Sequence, residues 1–243
     1  MGSCLAVTSG KGGVGKSSVS VGLADAFSRF GEKVLLVDMD EGLRCLDLML
    51  GIDESTVFDL ADALETGEFE KAVYTAPFQE NLYLVPAPAR IGRIDVTAFT
   101  EFASKAAKKF DKVIFDFPAG INLELYTCLP ENTLFLTVAV SDPVSVRDAA
   151  AIGGLLAEKN IQTRLVINRF VYKQSCKYKF KNIDGIIDSA GIRLLGLVPE
   201  SPELAMLCIN HRLKMKSNTV RAFTRIARRI NGKQVLLPKL NKI

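Results

Sequence analysis

Four glycines within eight residues, in the run Gly10-Lys11-Gly12-Gly13-Val14-Gly15-Lys16-Ser17, constrain this chain more than any other stretch of it. The run satisfies G-x-x-x-x-G-K-[ST] at Gly10, Gly15, Lys16 and Ser17. It follows the β-rich segment Leu5–Thr8 and opens a stretch with apolar residues at helical spacing, Lys16–Phe30. Glycine lets the backbone curl until successive N–H groups face inward, and the helix that follows adds the positive end of its dipole. The product is a cradle for phosphate oxygens, built from residues 10–18 with Val14 and Ser18 included. Lys16 is placed to reach β- and γ-phosphates and Ser17 to ligate Mg²⁺. The motif alone neither separates ATP from GTP nor says what work hydrolysis performs.

The rest of the chain repeats that strand-then-helix alternation from end to end. Strands are expected at Leu5–Thr8, Val34–Asp38, Leu82–Pro86, Lys112–Asp116, Thr133–Val140, Arg164–Asn168 and Leu194–Val198. Several are apolar throughout, as strands covered on both faces are. Helices are expected at Lys16–Phe30, Val57–Leu64, Thr97–Lys108, Pro143–Lys159, Asn182–Ala190, Pro202–Ile209 and Asn218–Ile230, with Gly31 and Gly191 closing two of them. The pattern predicts an α/β fold: a mostly parallel β-sheet flanked by helices, with the ligand site beyond the carboxyl ends of the strands. At 243 residues with no composition break or repeat, one domain spanning 1–243 is expected.

With 48% hydrophobic and 24% charged residues the composition excludes a disordered or collagenous chain. No apolar run is long enough to span a bilayer and the N-terminus lacks a secretory pattern, so a cytoplasmic location is expected. Cys4, Cys45, Cys128, Cys176 and Cys208 are scattered without a Cys-x-x-Cys pair, which argues for reduced thiols and against a zinc or iron–sulfur centre. The formal charge is only +4, but Arg164–Lys181 and Arg212–Arg229 are rich in Lys and Arg. Such runs attract phosphate, anionic lipid or nucleic acid, or form solvated faces.

Three carboxylates fall at the expected ligand edge. The second strand ends in Asp38-Met39-Asp40, which puts two carboxylates on one side of an extended segment, where both approach Mg²⁺ or an attacking water. The fourth strand, Lys112-Val113-Ile114-Phe115-Asp116, is apolar to its last residue and then enters Phe117-Pro118-Ala119-Gly120-Ile121. Asp116 is the Walker-B-type candidate for Mg²⁺, and Gly120 offers a backbone N–H toward the γ-phosphate. Asn168, at the end of another strand, can donate and accept as an adenine edge requires, or close the strand as a structural asparagine.

Lys11, the second lysine of the loop, gives the pattern Lys-Gly-Gly-Val-Gly-Lys-Ser, which resembles the deviant Walker A ATPases of the MinD/ParA family, of SIMIBI-type P-loop fold. Asp38-Met39-Asp40-Glu41-Gly42-Leu43-Arg44-Cys45-Leu46-Asp47-Leu48 is similar to the MinD branch in particular. Phe58-Asp59-Leu60, residues 81–87 and 117–121, and Ser145-Val146-Arg147-Asp148 extend the resemblance. It implies an ATPase using ATP and Mg²⁺, with Lys11 reaching the partner's nucleotide in an ATP-dependent homodimer. Lys11, Lys16 and Asp40 are then catalytic, Asp40 positioning water. Ser17, Asp38, Asp40 and Asp116 form the metal shell, and Asn168, Arg169, Pro199 and Glu200 occupy the base-recognition positions. The implied role is spatial regulation of cell division, with hydrolysis stimulated by a protein partner; a ParA-like or flagellar-number regulator acting through DNA or protein is the alternative.

Departures from the family pattern occur at Val140-Ser141-Asp142-Pro143-Val144 and at His211-Arg212-Leu213-Lys214-Met215. The family's separate amphipathic helix for membrane binding is not recognisable in Lys239-Leu240-Asn241-Lys242-Ile243. The preceding stretch, Val220–Ile230, has Phe223, Ile226, Ala227 and Ile230 on one face and arginines on the other. Two readings stay open: an anionic membrane contact, which places the chain peripherally at the inner membrane, or a helix packing its apolar stripe on the sheet. His211, the single histidine, has no evident metal or acid–base partner in the sequence and reads as a surface loop residue.

Overall fold

The computed structural model describes residues 2–52, 56–172 and 182–240. Cys176 and the basic residues 173–181 lie outside the described residues, as do 241–243. The strands are β1 (Ser3–Thr8), β2 (Val34–Asp38), β3 (Tyr74–Thr75), β4 (Leu82–Val85), β5 (Lys112–Asp116), β6 (Leu134–Ala139), β7 (Thr163–Phe170) and β8 (Leu194–Pro199). They form one sheet in the order β3-β4-β2-β5-β1-β6-β7-β8. All neighbouring pairs are parallel except β3 with β4. All seven expected strands are present. The two-residue β3 escapes a sequence reading because it is too short to show alternation.

Among the described residues the helices are α1 (Lys16–Ser28), α2 (Leu46–Leu50), α3 (Leu60–Thr66), α4 (Val96–Lys109), α5 (Leu123–Thr127), α6 (Pro143–Glu158), α7 (Ile183–Ala190), α8 (Pro202–Ala205), α9 (Leu207–Asn210) and α10 (Asn218–Ile230). Two expectations need correction. The helix expected from Val57 begins at Leu60, because Asp59 and Asp62 form a reciprocal capping box that fixes the start there. The helix expected over Pro202–Ile209 is two short helices, broken at Met206.

Helices cover both faces. On one side Leu5, Val7, Leu36, Leu84 and Ile114 pack with α1 and α10 through Leu23, Phe27, Phe223 and Ile226. On the other, Leu35, Val37, Val113 and Phe115 meet Phe99, Phe102 and Ala106 of α4. The apolar stripe of α10 is therefore spent inside the molecule: Phe223 is 0% and Ile226 1% exposed. A Cβ on Gly22 of α1 would fall 2.2 Å from the Phe223 ring, so only glycine admits this contact. The packed reading of Val220–Ile230 holds, and the helix has no free apolar face. No helix among the described residues is long and apolar enough to cross a membrane.

Candidate nucleotide site

The parallel register places Asp38 directly beside Asp116 at the carboxyl ends of β2 and β5, with β1 next to β5 feeding the glycine loop. Gly10–Gly13 are exposed, whereas Val14 is buried and anchors the loop. Gly15 takes φ +86, a left-handed conformation that turns the chain into α1. Lys16, at the first position of α1, is 9% exposed. Lys11 is exposed and makes no ion pair among the described residues. The two lysines of the loop thus have opposite settings: one inside the site, one on its outer surface.

Asp116 is 1% exposed and accepts from Ser20 Oγ at 2.7 Å and from the Ser17 hydroxyl. Ser17 and Ser20 lie one turn apart on α1, so a single helix face serves this carboxylate. Burial raises the Asp116 pKa to about 6 despite these hydroxyls and the nearby Lys16 charge. Asp38, equally buried, is pushed up to about 7, by burial first and then by the Asp116 charge. Asp40 is half-buried; burial raises its pKa and Lys16 opposes the rise.

The carboxylates differ in what they hold. Asp38 Oδ1 accepts from the Asp40 N–H at 3.0 Å, and Oδ2 accepts from the N–H groups of Cys45 and Leu46 at 3.3 and 3.2 Å. It fastens the loop between β2 and α2, while Asp40, beyond it, keeps its side chain nearer the lysine. Cys45 was not foreseen: its thiol hydrogen-bonds the Ser17 hydroxyl and is pushed up to about 12 by burial and then by Asp38. Nothing in the sequence pattern marks a cysteine there.

Asn168, 1% exposed, donates from Nδ2 to the Val14 carbonyl at 2.8 Å, which leaves Oδ1 buried without a partner. Since the carbonyl can only accept, Nδ2 is assigned to that side. The amide ties β7 to the phosphate loop. Arg169, next to last in β7, and Glu200, just beyond the buried Pro199 that ends β8, instead pair with each other at 2.9 Å, both exposed. The structure brings Asn168 onto the phosphate loop and leaves Arg169 and Glu200 at the rim. Gly120 also differs from expectation. Its N–H donates to the Ser9 carbonyl at 2.8 Å, and its carbonyl accepts from Tyr126, whose hydroxyl also bonds Thr8.

The donor set suits a hard cation. Ser17, Asp40 and Asp116 offer oxygen, burial raises the carboxyls of Asp38 and Asp116, and Mg²⁺ prefers oxygen ligands. No cluster of three or more His, Cys, Asp and Glu suited to a metal occurs among the described residues. The remaining ligands would come from phosphate oxygens and water, as Mg²⁺ usually takes them.

Residues 5–213 match the model of the CobQ/CobB/MinD/ParA nucleotide binding domain. The chain belongs to this family. It is 34% identical to the septum site-determining protein MinD of Bacillus subtilis, over all of this chain and 94% of that protein. Identity to the MinD of Synechocystis is 30%, over 95% of this chain and 90% of that one. Among solved structures, the MinC:MinD cell division complex of Aquifex aeolicus superposes with a TM-score of 0.87 at 28% identity, covering 98% of this chain and 99% of that chain. The Pyrococcus horikoshii MinD complexed with Mg-ADP gives 0.82 at 26% identity, covering 95% and 96%. A nucleotide-binding P-loop protein with the fold of MinD/ParA ATPases is thereby established.

Proposed function

We propose that the chain is an ATPase that works as a dimerisation switch in septum-site determination, with 1–243 acting as one P-loop domain. The position of Lys11 carries this reading. An exposed lysine one residue into the loop, in contrast to the buried Lys16, is free to serve a nucleotide held by a second copy. Lys16 binds the phosphates, the loop amides from Gly10, Gly12, Gly13, Val14, Gly15 and Ser18 surround them, and Asn168 Oδ1 meets the base. Ser17 and Asp116 hold Mg²⁺, which when bound neutralises phosphate charge. Asp40 orients the attacking water. Asp38 acts through the loop it fastens, and Arg169 and Glu200 guard the rim of the base site beside Pro199.

The relatives' role as septum site-determining proteins and the neighbouring MinC:MinD complex support a cell-division role and an activating protein partner. Arg221 and Arg228 of α10 are exposed and make no ion pair among the described residues, which favours contact with an anionic surface by charge alone. In this reading the protein is cytoplasmic and becomes peripheral at the inner membrane, since dimerisation doubles a weak contact. DNA is the competing anion.

The test is gel filtration and co-sedimentation with anionic liposomes, comparing ATP with ADP in Asp40→Ala and Lys11→Ala variants. The switch predicts an ATP-dependent dimer for Asp40→Ala that sediments with liposomes. Lys11→Ala should retain nucleotide and lose roughly 10³-fold or more in partner-stimulated turnover, on the scale of an arginine finger. Unchanged turnover in Lys11→Ala refutes the shared site. A dimer that ignores liposomes but binds duplex DNA in a salt-dependent way moves the surface contact to DNA.

A further inference from the structure

At the edge of the sheet remote from the phosphate loop, a groove of about 890 Å³ opens between the end of α1, residues 78–81 and residues 212–215. We propose that this groove is the docking site for an acidic, extended segment of a protein partner, and that His211 couples its occupancy to the nucleotide site.

Three features of the wall define the occupant. Gln79 is 8% exposed and spends its Nε2 on the His211 carbonyl at 2.9 Å, which leaves Oε1 buried with no partner and in need of a donor such as a peptide N–H. Phe78 and Met215, 53% and 74% exposed, offer an apolar contact. Arg212 and Lys214 carry charge with no ion pair among the described residues, whereas Arg29 is already neutralised by Asp25 at 2.7 Å. Against these two free cations the groove sets two acids, of which Asp25 is taken up by Arg29 and Glu80 is left. A concave site with two exposed apolar side chains, two unpaired cations and an orphan acceptor fits an acidic peptide carrying an apolar side chain. Two unpaired cations fall short of the several Lys and Arg contacts that hold a duplex or an anionic membrane surface.

The coupling follows from His211. Its Nδ1 donates to the Leu48 carbonyl of α2 at 2.9 Å, and its ring stacks on Phe78 at 6.0 Å and 7°. A Cβ on Gly51, at the end of α2, would fall 2.9 Å from that ring. At the other end of α2, the amides of Cys45 and Leu46 bond Asp38. A ligand that moves Phe78 or Gln79 therefore displaces His211, and through a helix of five residues acts on the loop that carries Asp40. Docking is independent of the reading given to the nucleotide site; the coupling rests on it.

The probe is a fluorescein-labelled dodecapeptide of Glu and Asp with one central p-benzoylphenylalanine, compared with a Lys/Arg counterpart, on the full chain. Binding should favour the acidic peptide, photo-cross-links should map to 78–81 or 212–215, and Arg212→Glu/Lys214→Glu should weaken it about tenfold or more by reversing two attractions. Nucleotide affinity, read separately, should stay unchanged in that variant. Cross-links on α10, equal affinity in the variant, or a variant that loses only anionic vesicles would overturn the docking site. The peptide should also change hydrogen exchange at Cys45 and Leu46 in the wild type and not in His211→Ala. Binding without that change overturns the coupling and leaves the docking site standing.

Discussion

Replacing Asp116 by Asn should stabilise the nucleotide-free protein while removing its response to Mg²⁺ and nucleotide. The carboxyl is fully buried, and its pKa stands at about 6 against 3.8 for an ordinary aspartate. A carboxyl raised in this way costs the folded state nothing below its ordinary pKa. The cost grows as pH rises through 3.8 toward 6 and is complete above that. Two or so pH units correspond to about 3 kcal/mol at pH 8. An amide of the same shape keeps an oxygen for the Ser17 and Ser20 hydroxyls and also relieves Asp38, whose carboxyl is raised in part by the Asp116 charge. With part of the gain lost to imperfect hydrogen bonding, a stabilisation of roughly 1–3 kcal/mol is expected, or about 3–10 °C in Tm for a domain of this size. Thermal unfolding at pH 5 and pH 8, with and without Mg-ATP, is the assay. The Asn variant should melt higher than wild type at pH 8, show a smaller difference at pH 5, and gain little from Mg-ATP. A variant that melts lower at both pH values, or keeps the wild-type pH slope, refutes the argument that this carboxylate stores unfavourable charge for a cation.

Three further outcomes are expected. Gly15→Ala should abolish tight nucleotide binding in calorimetry, because the new methyl would lie 2.3 Å from Asn168 Nδ2 at φ +86; the strain alone costs about 1–2 kcal/mol. Phe223→Ala should lower the unfolding free energy in urea by about 3–5 kcal/mol, the usual cost of emptying a fully buried aromatic site. Asp59→Ala should lose about 1 kcal/mol by removing the cap of α3, with nucleotide affinity intact.

The architecture was legible because its signals are periodic or positional. Buried parallel strands read as apolar runs, and the glycine loop announces itself between a strand and a helix. The short elements were not legible. α2 and α5 have five residues each, too few for helical periodicity, and α2 exists because Asp38, Asp47 and Gly51 hold its ends. At the site, residue type told which groups bear charge but not where their lone pairs go. Asp38 and Asp40 look equivalent as letters, yet three backbone amides engage the first and, among the described residues, none engages the second. Asn168 spends its donor on Val14, and Gly120 spends its amide on Ser9, through contacts with partners far away in sequence. The stripe of α10 was visible; which of two hydrophobic media received it was decided by Gly22, whose missing side chain makes room for Phe223.

That contact joins residue 22 to residue 223, and it has a consequence for synthesis. The helix that begins at the phosphate loop has no cover along one flank until residues 218–230 have left the ribosome. Long-range closure of this kind is slow and leaves apolar surface open meanwhile. A growing chain therefore carries the complete glycine loop early but cannot seal the helix behind it. Emergence of α10 from the exit tunnel is the event that covers this flank, and a translation stall before residue 218 leaves a product for chaperones.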